Sequence, residues 1–407
     1  MKTDLDAQMH ANNLDALLIT GSGKHNPEIF YFTGGGHISD ADLLKVRGKP
    51  PFLFYGSPME RDEAAKTGLA NKSVTEYDFK ALLKAANGDK LKAVALRYQK
   101  MFQELGITRG RVGISGLVKF GATFQVFNLL RDLLPDVEFV DGSPTLLEAR
   151  ATKDEAEIAR IRRMGQITTF VVNRTAEFLT SHKAKNDVLV KKDGQPLTIG
   201  EVKRQINLWL AEQEAENPEG TIFAIGRDAG VPHSGGNPTD VLQLGKTIVF
   251  DIFPCEAGGG YFYDFTRTWC LGYATDETLK VYEDVLHVYR QVMSELKAGE
   301  ACFAYQKRTC ELFEAQGHPT ILTTPNTTSG YVHGLGHGLG LNVHEAPWFR
   351  EGGNDKLTPG AVITVEPGLY YPERGLGCRL EDTVWVRPDG AMEVLAEYPL
   401  DLVLPVK

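Results

Sequence analysis

The chain has 407 residues, of which 42% are hydrophobic and 24% charged, and its net charge is −9. That length suffices for two domains with buried cores, and an acidic balance with no basic run excludes nucleic acid as a partner. No apolar run approaches the ~20 residues of a membrane span, and the opening Met-Lys-Thr-Asp-Leu-Asp lacks the apolar core of a signal peptide.

The five cysteines (Cys255, Cys270, Cys302, Cys310 and Cys378) show no Cys-x-x-Cys spacing. They fit reduced, buried thiols in a cytoplasmic protein better than a disulfide framework or a zinc knot. Residues 1–150 alternate strand and helix patterns and predict an α/β amino-terminal domain. Strands are expected at Asp15–Thr20, Ile29–Thr33, Pro51–Tyr55 and Arg111–Ser115, with helices at Phe79–Asn87 and Phe120–Leu134. The glycines 34–36 lack the Lys-Ser/Thr of a phosphate loop and read as turn residues.

From residue 151 to 407 the rhythm changes, which predicts a second domain of α+β character. Thr152-Lys-Asp-Glu155 and Thr198-Ile-Gly-Glu201 are capping-box patterns that open helices, and strand material follows from Thr247 to Trp269. Helices at 276–297 and 301–316 then precede strands at 331–345, 360–367 and 379–387. Two helices followed by strands, twice over, predict two similar halves with a cleft between them.

The most unusual stretch is Tyr331–Glu345, which holds His333, His337 and His344 among glycines at 334, 336, 338 and 340. Each interior Gly costs about 1 kcal/mol in a helix, so a strand or irregular ribbon is expected. At about 3.3 Å per residue, His333 and His337 would lie about 13 Å apart, too far to share one metal. Two acids flank a glycine-rich turn, Asp251 after Ile248-Val-Phe and Asp264 in Tyr261-Phe-Tyr-Asp-Phe-Thr-Arg-Thr268. A hairpin pairing Asp251 directly with Asp264 sets two like charges side by side, which is unfavourable unless a cation lies between them. Glu366 ends an apolar strand before Pro367-Gly368, and Glu381 lies in Arg379-Leu-Glu-Asp382. Four carboxylates and one histidine make a mostly oxygen ligand set, too acidic for structural zinc. It suits two divalent cations about 3.5–4 Å apart.

These motifs, in this order, resemble the pita-bread metallopeptidases, and the amino-terminal region resembles the creatinase/prolidase N-terminal domain of their proline-specific branch. The resemblance implies a two-metal exopeptidase (Xaa-Pro aminopeptidase or Xaa-Pro dipeptidase) that acts on proline-containing peptides through a metal-bridging hydroxide. The implied metals are two divalent ions, Mn²⁺ first, with Co²⁺, Zn²⁺ or Fe²⁺ as substitutes. The implied ligands are Asp251 on one metal, His337 and Glu366 on the other, and Asp264 and Glu381 bridging. Glu366 would also take the proton of the attacking water. His233, His333 and His344 would line the substrate pocket, and Arg379 would support the ligands. A homo-oligomer, dimer or tetramer, is implied by analogy alone.

Asp251 and Asp264 are two residues further apart than is usual in that family, which is expected to lengthen the hairpin and alter the rim of the cleft. Arg350, just past His344, is a candidate to read a substrate carboxylate, and a solvated loop arginine fits it as well. A non-catalytic peptide-binding member and a metal-free creatinase-like hydrolase are the alternative readings, and the complete set of five ligands counts against both. The long amino-terminal domain counts against methionine aminopeptidase.

Overall fold

The computed structural model describes residues 4–406, and the chain divides into two compact units. The first comprises the described residues up to Arg150 together with Gly258–Gly260, and the second comprises Ala151–Ala257 and Tyr261 onward.

The first unit is built on a six-stranded mixed sheet, in the order Ala70–Ser73, Phe52–Tyr55, Asp40–Val46, Ala16–Ser22, Gly110–Ser115, Val137–Asp141. Its helices include Phe79–Ala85, Lys90–Glu104 and Phe120–Leu133. One expectation is overturned here. Ile29–Thr33, rich in β-formers, belongs to the helix Pro27–Thr33. Local capping wins over strand propensity. Asn26 accepts from the Ile29 amide, Pro27 occupies the first turn, and Gly34 ends the helix at φ 71°.

The second unit carries two sheets. One runs Thr221–Ile225, Thr247–Ile252, Phe265–Leu271, Val403–Leu404, and the other runs Glu345–Trp348, His337–Gly338, Val362–Val365, Asp382–Val386, Met392–Val394. Each sheet has a helix pair ahead of it in sequence: Glu155–Thr180 with Ile199–Glu212, and Asp276–Glu295 with Cys302–Ala315. Val281, Val285, Val288 and Val292 share one helix face and pack into a core with Ile363, Val365, Val384 and Val386. In the other half Gly165 is required by close approach, since a Cβ there would lie 2.6 Å from the Tyr263 ring.

The helix at Glu155 opens on a capping box two residues later than expected. Asp154, not Thr152, accepts from the Glu157 amide, and Glu157 reaches back to the Asp154 amide. Thr198 and Glu201 form their box as expected. Thr198→Ala should cost about 1 kcal/mol of stability in urea denaturation, and an unchanged midpoint would show that the cap contributes nothing. Among the described residues no helix is long and apolar enough to cross a membrane.

Candidate metal centre

The site is assembled where strands of both sheets present acids towards one cavity. Asp251 lies in the strand Thr247–Ile252 and faces Thr266 across the ladder, not Asp264. The expected direct pairing of the two acids is therefore corrected by two residues. The hairpin keeps that register towards its tip, where Cys255 bridges Phe262 and the Glu256 N–H donates to the Tyr261 carbonyl at 3.1 Å, so its turn is centred one residue later than expected. Cys255–Glu256 also pairs with Ala215–Glu216. Because Asp264 and Thr266 are two apart, they share a face, and Asp264 lies diagonal to Asp251. Within the longer turn, Glu256 forms a two-pronged ion pair with Arg160, at 2.9 and 2.8 Å.

Glu366 follows the strand Val362–Val365, and Glu381 sits between Leu376–Arg379 and Asp382–Val386. His337 enters from a segment that is ribbon rather than strand. Within 331–345 only His337–Gly338 and the terminal Glu345 belong to strands. The glycines leave space for backbone, and a Cβ at Gly336 or Gly338 would lie 2.1 or 2.0 Å from a carbonyl oxygen. His333 and His337 both approach Glu366. His337 Nε2 is 3.3 Å from one of its oxygens and His333 Nδ1 is 4.0 Å from the other.

The geometry fits a cation cluster. Asp264, His337 and Glu381, all buried, each offer a ligand atom within 4.8 Å of the others. Asp251 Oδ1 and Glu381 Oε1 are enclosed and accept no hydrogen bond, a costly condition for carboxylate oxygens unless a positive charge reaches them. Burial pushes the Asp264 and Glu381 carboxyls well above the usual carboxylate range, and the neighbouring acids add to it. Burial works against the His337 imidazolium, but Glu366 and Asp264 outweigh it and raise its pKa to about 9. Burial likewise opposes ionisation of Glu366, yet His337, His333 and Arg379 outweigh it and hold its pKa at about 2. A set of acids whose charges oppose one another so strongly is matched to divalent metal.

Arg379 organises the acids from behind. Its Nη2 is ion-paired with Asp251 Oδ2. Its Nε donates to Thr266 Oγ1 at 3.2 Å, and Thr266 Oγ1 donates to Glu381 Oε2 at 2.6 Å. Its Nη1 donates to the Tyr370 hydroxyl at 2.7 Å, and that hydroxyl lies 2.9 Å from His333 Nε2. His333 Nδ1 faces the Gly334 carbonyl at 2.7 Å, so Nδ1 donates and Nε2 accepts from Tyr370. Gln306 fixes the same ribbon by accepting from the Leu335 amide at 2.6 Å and the Tyr331 hydroxyl at 2.9 Å. Sequence reasoning missed Tyr370, Thr266 and Gln306. Thr266 sits two residues from Asp264 on the same strand face, and that period is the signal that could have found it.

The cavity has a volume of about 590 Å³, and all five acids and histidines of the cluster line it together with His233, His333, His344 and Arg350. The ring of His344 packs edge-on against His337 at 4.2 Å. Burial and the His337 charge lower the His344 pKa to about 4. The loop that carries it is anchored by a buried ion pair between Lys153 and Glu345 at 2.8 Å. His233 is exposed. Arg350 is also exposed, with its guanidinium 5.6 Å from the centre of the Trp348 ring.

Residues 159–388 match the family model of metallopeptidase family M24, more than half of the chain. The chain belongs to metallopeptidase family M24. Residues 3–152 match the creatinase/prolidase N-terminal domain. Family membership implies divalent metal ions, in keeping with the acids and histidine gathered here. The M24 chain is similar to a putative dipeptidase of Bacillus subtilis, 29% identical over 66% of each chain, so the match spans just under two thirds of that relative's length. It is 25% identical to an Xaa-Pro dipeptidase of Lactobacillus delbrueckii, over 98% of this chain and 97% of that one. Its fold superposes on the crystal structure of a dipeptidase from Pyrococcus horikoshii with a TM-score of 0.75, at 22% identity and 98% coverage of both chains. The two-domain plan, an α/β amino-terminal domain and a two-halved catalytic domain, is thus the family's.

Proposed function

We propose that this M24 chain is a dinuclear-metal exopeptidase that hydrolyses the bond between an amino-terminal residue and proline. The observation that carries the reading is the convergence of five ligand-type side chains on one cavity, with two enclosed carboxylate oxygens left unpartnered. The Xaa-Pro dipeptidase of Lactobacillus delbrueckii, which aligns over almost the whole chain, supports the choice of substrate.

Asp251, Asp264, His337, Glu366 and Glu381 would hold the ions, with Asp264 and Glu381 reaching both. Four carboxylates and one imidazole favour Mn²⁺, with Co²⁺, Zn²⁺ or Fe²⁺ as substitutes. When bound, such ions polarise the scissile carbonyl and acidify water. Glu366 takes the proton of the attacking water, and its carboxylate is oriented by His337 at 3.3 Å. His333 has both ring nitrogens engaged, so it holds its position and shapes the pocket. His344 and His233 line the cavity and make no hydrogen bond among the described residues, which leaves their ring nitrogens for the substrate carbonyl and the leaving nitrogen. The leaving nitrogen of proline carries no N–H, and recognition through metals and histidines does not need one. Five buried, free thiols fit a reducing compartment and support a cytoplasmic location. A homo-oligomer is part of the reading, and light scattering would test it.

The assay is direct. Metal-stripped protein resupplied with Mn²⁺ or Co²⁺ should cleave Ala-Pro or Ala-Pro-Ala and leave Met-Ala-Ala intact. Absence of turnover with metal demonstrably bound would reject the reading. Arg350 is assigned to the substrate carboxylate, so Arg350→Ala should raise KM for Ala-Pro about tenfold, the worth of one charged hydrogen bond, with little change in kcat. An unchanged KM would shift that role to Lys203. Of the two other Lys/Arg residues in the cavity wall, Arg379 is committed to Asp251, whereas the Lys203 ammonium donates only to the Gly235 carbonyl, at 2.6 Å, among the described residues.

A further inference from the structure

The first unit holds a second concave site that the peptidase chemistry does not use. It is a cavity of about 320 Å³, with Thr20, Asp42, Phe54, Val74, Arg97 and Tyr98 in its wall. It opens where the strands Ala16–Ser22 and Phe52–Tyr55 finish and the helix Lys90–Glu104 passes. Crevices outside the carboxyl ends of strands are where open α/β sheets take ligands.

Three charged side chains line this cavity, Asp40, Asp42 and Arg97; Asp40 is exposed to solvent, and the more enclosed Asp42 and Arg97 lack counter-charges among the described residues. Asp42 is only 7% exposed. Its Oδ1 accepts from the Thr20 and Tyr98 hydroxyls, both at 2.6 Å, and those hydroxyls lie 3.1 Å apart. That triangle fixes the carboxylate. Its other oxygen accepts no hydrogen bond and is not among the fully enclosed atoms, so it opens to the cavity. Among the described residues no lysine or arginine pairs with Asp42. Arg97 is half-buried, and its Nε is enclosed without a hydrogen-bond partner. Its guanidinium lies 5.7 Å from the Tyr98 ring centre and pairs with no carboxylate among the described residues. Unpaired buried charge is unfavourable, yet Asp42 and Arg97 line the same cavity without forming an ion pair with each other.

A cavity whose wall holds both an unpaired carboxylate and an unpaired guanidinium matches a small ligand bearing both opposite charges. We propose that this cavity binds a free α-amino acid, with its ammonium on Asp42 and its carboxylate on Arg97. Phe54 and Val74 provide apolar wall for the ligand's side chain. The proposal stands apart from the peptidase reading, although an exopeptidase releases ligands of this class.

Calorimetric titration of the full chain tests it, with L-alanine, L-leucine and L-proline run beside their methyl esters and N-acetyl derivatives. Concentrations up to about 20 mM detect a Kd near 1 mM. The zwitterions should bind. The ester, without its carboxylate, and the N-acetyl form, without its ammonium, should each bind about tenfold more weakly or not at all. Arg97→Gln should lose zwitterion binding to a similar degree while melting at the wild-type temperature, and Asp42→Asn should weaken it too. The derivative comparison needs no variant, so a folding defect in either one leaves the test standing. No binding of any zwitterion, equal binding of the derivatives, or full affinity in a folded Arg97→Gln protein would overturn the assignment.

Discussion

Glu366→Gln should lower kcat for Ala-Pro or Ala-Pro-Ala by about 10²–10⁴-fold, the usual worth of a positioned general base. The change preserves shape but removes the proton acceptor, and it weakens the contact with His337 at 3.3 Å. Two roles are assigned to this one carboxylate, and metal content separates them. If metal stays bound while kcat collapses, the proton-accepting role carries the loss. If metal leaves, the ligand role does. A fully active Gln variant would remove Glu366 from both. The fold should not suffer, because Glu366 lies just past its strand and its amide bond to the Leu335 carbonyl at 2.8 Å is untouched.

The second large effect has opposite signs with and without metal. Asp264 is buried among acids whose charges resist one another. Asp264→Asn removes one of those charges, so the metal-free variant should melt higher than metal-free wild type, by about 2–4 °C if the relief is near 1 kcal/mol. Added Mn²⁺ should stabilise wild type by about 2.7 kcal/mol at a hundredfold excess over Kd. The variant should gain little from the ion and hydrolyse poorly. Differential scanning with and without chelator reads both signs. A metal-induced shift equal to wild type would sink the bridging role of Asp264, and a metal-free variant that melts lower would show that the cluster is not under electrostatic load. Sites built for function at the expense of stability behave in this way.

The acids and histidine that meet at the cavity were legible because each sits in a short local pattern: an acid closing an apolar strand, a histidine among alternating glycines. The order of those patterns identified the family. What surrounds them was not legible, because it depends on contacts between distant segments. Thr266 meets Glu381, and Arg379 meets Asp251, across chain separations of 115 and 128 positions. No local periodicity encodes such a pair. The register of the Asp251 strand was misplaced because the turn was centred one residue too early, in a stretch whose consecutive glycines give no local signal of where the chain reverses. Ile29–Thr33 failed for a different reason, since five β-forming or aromatic residues were overruled by Asn26, Pro27 and Gly34 acting as caps. Tyr331–Glu345 was read partly as strand, and crowding by neighbouring backbone at Gly336 and Gly338 allows only a brief ladder there.

The separation between Thr266 and Glu381 also bears on how the centre comes into being. Segments that far apart meet only after the loop between them has closed, and non-local pairings of this kind form slowly and late. An unfolded chain has no preformed cluster to offer an ion, so metal capture should wait for the second unit to complete its topology. In stopped-flow refolding, metal should therefore leave the early rates unchanged and slow unfolding instead, acting as a latch on the finished structure rather than a seed for it. A folding rate that rises with Mn²⁺ concentration would show that the latch closes before the door.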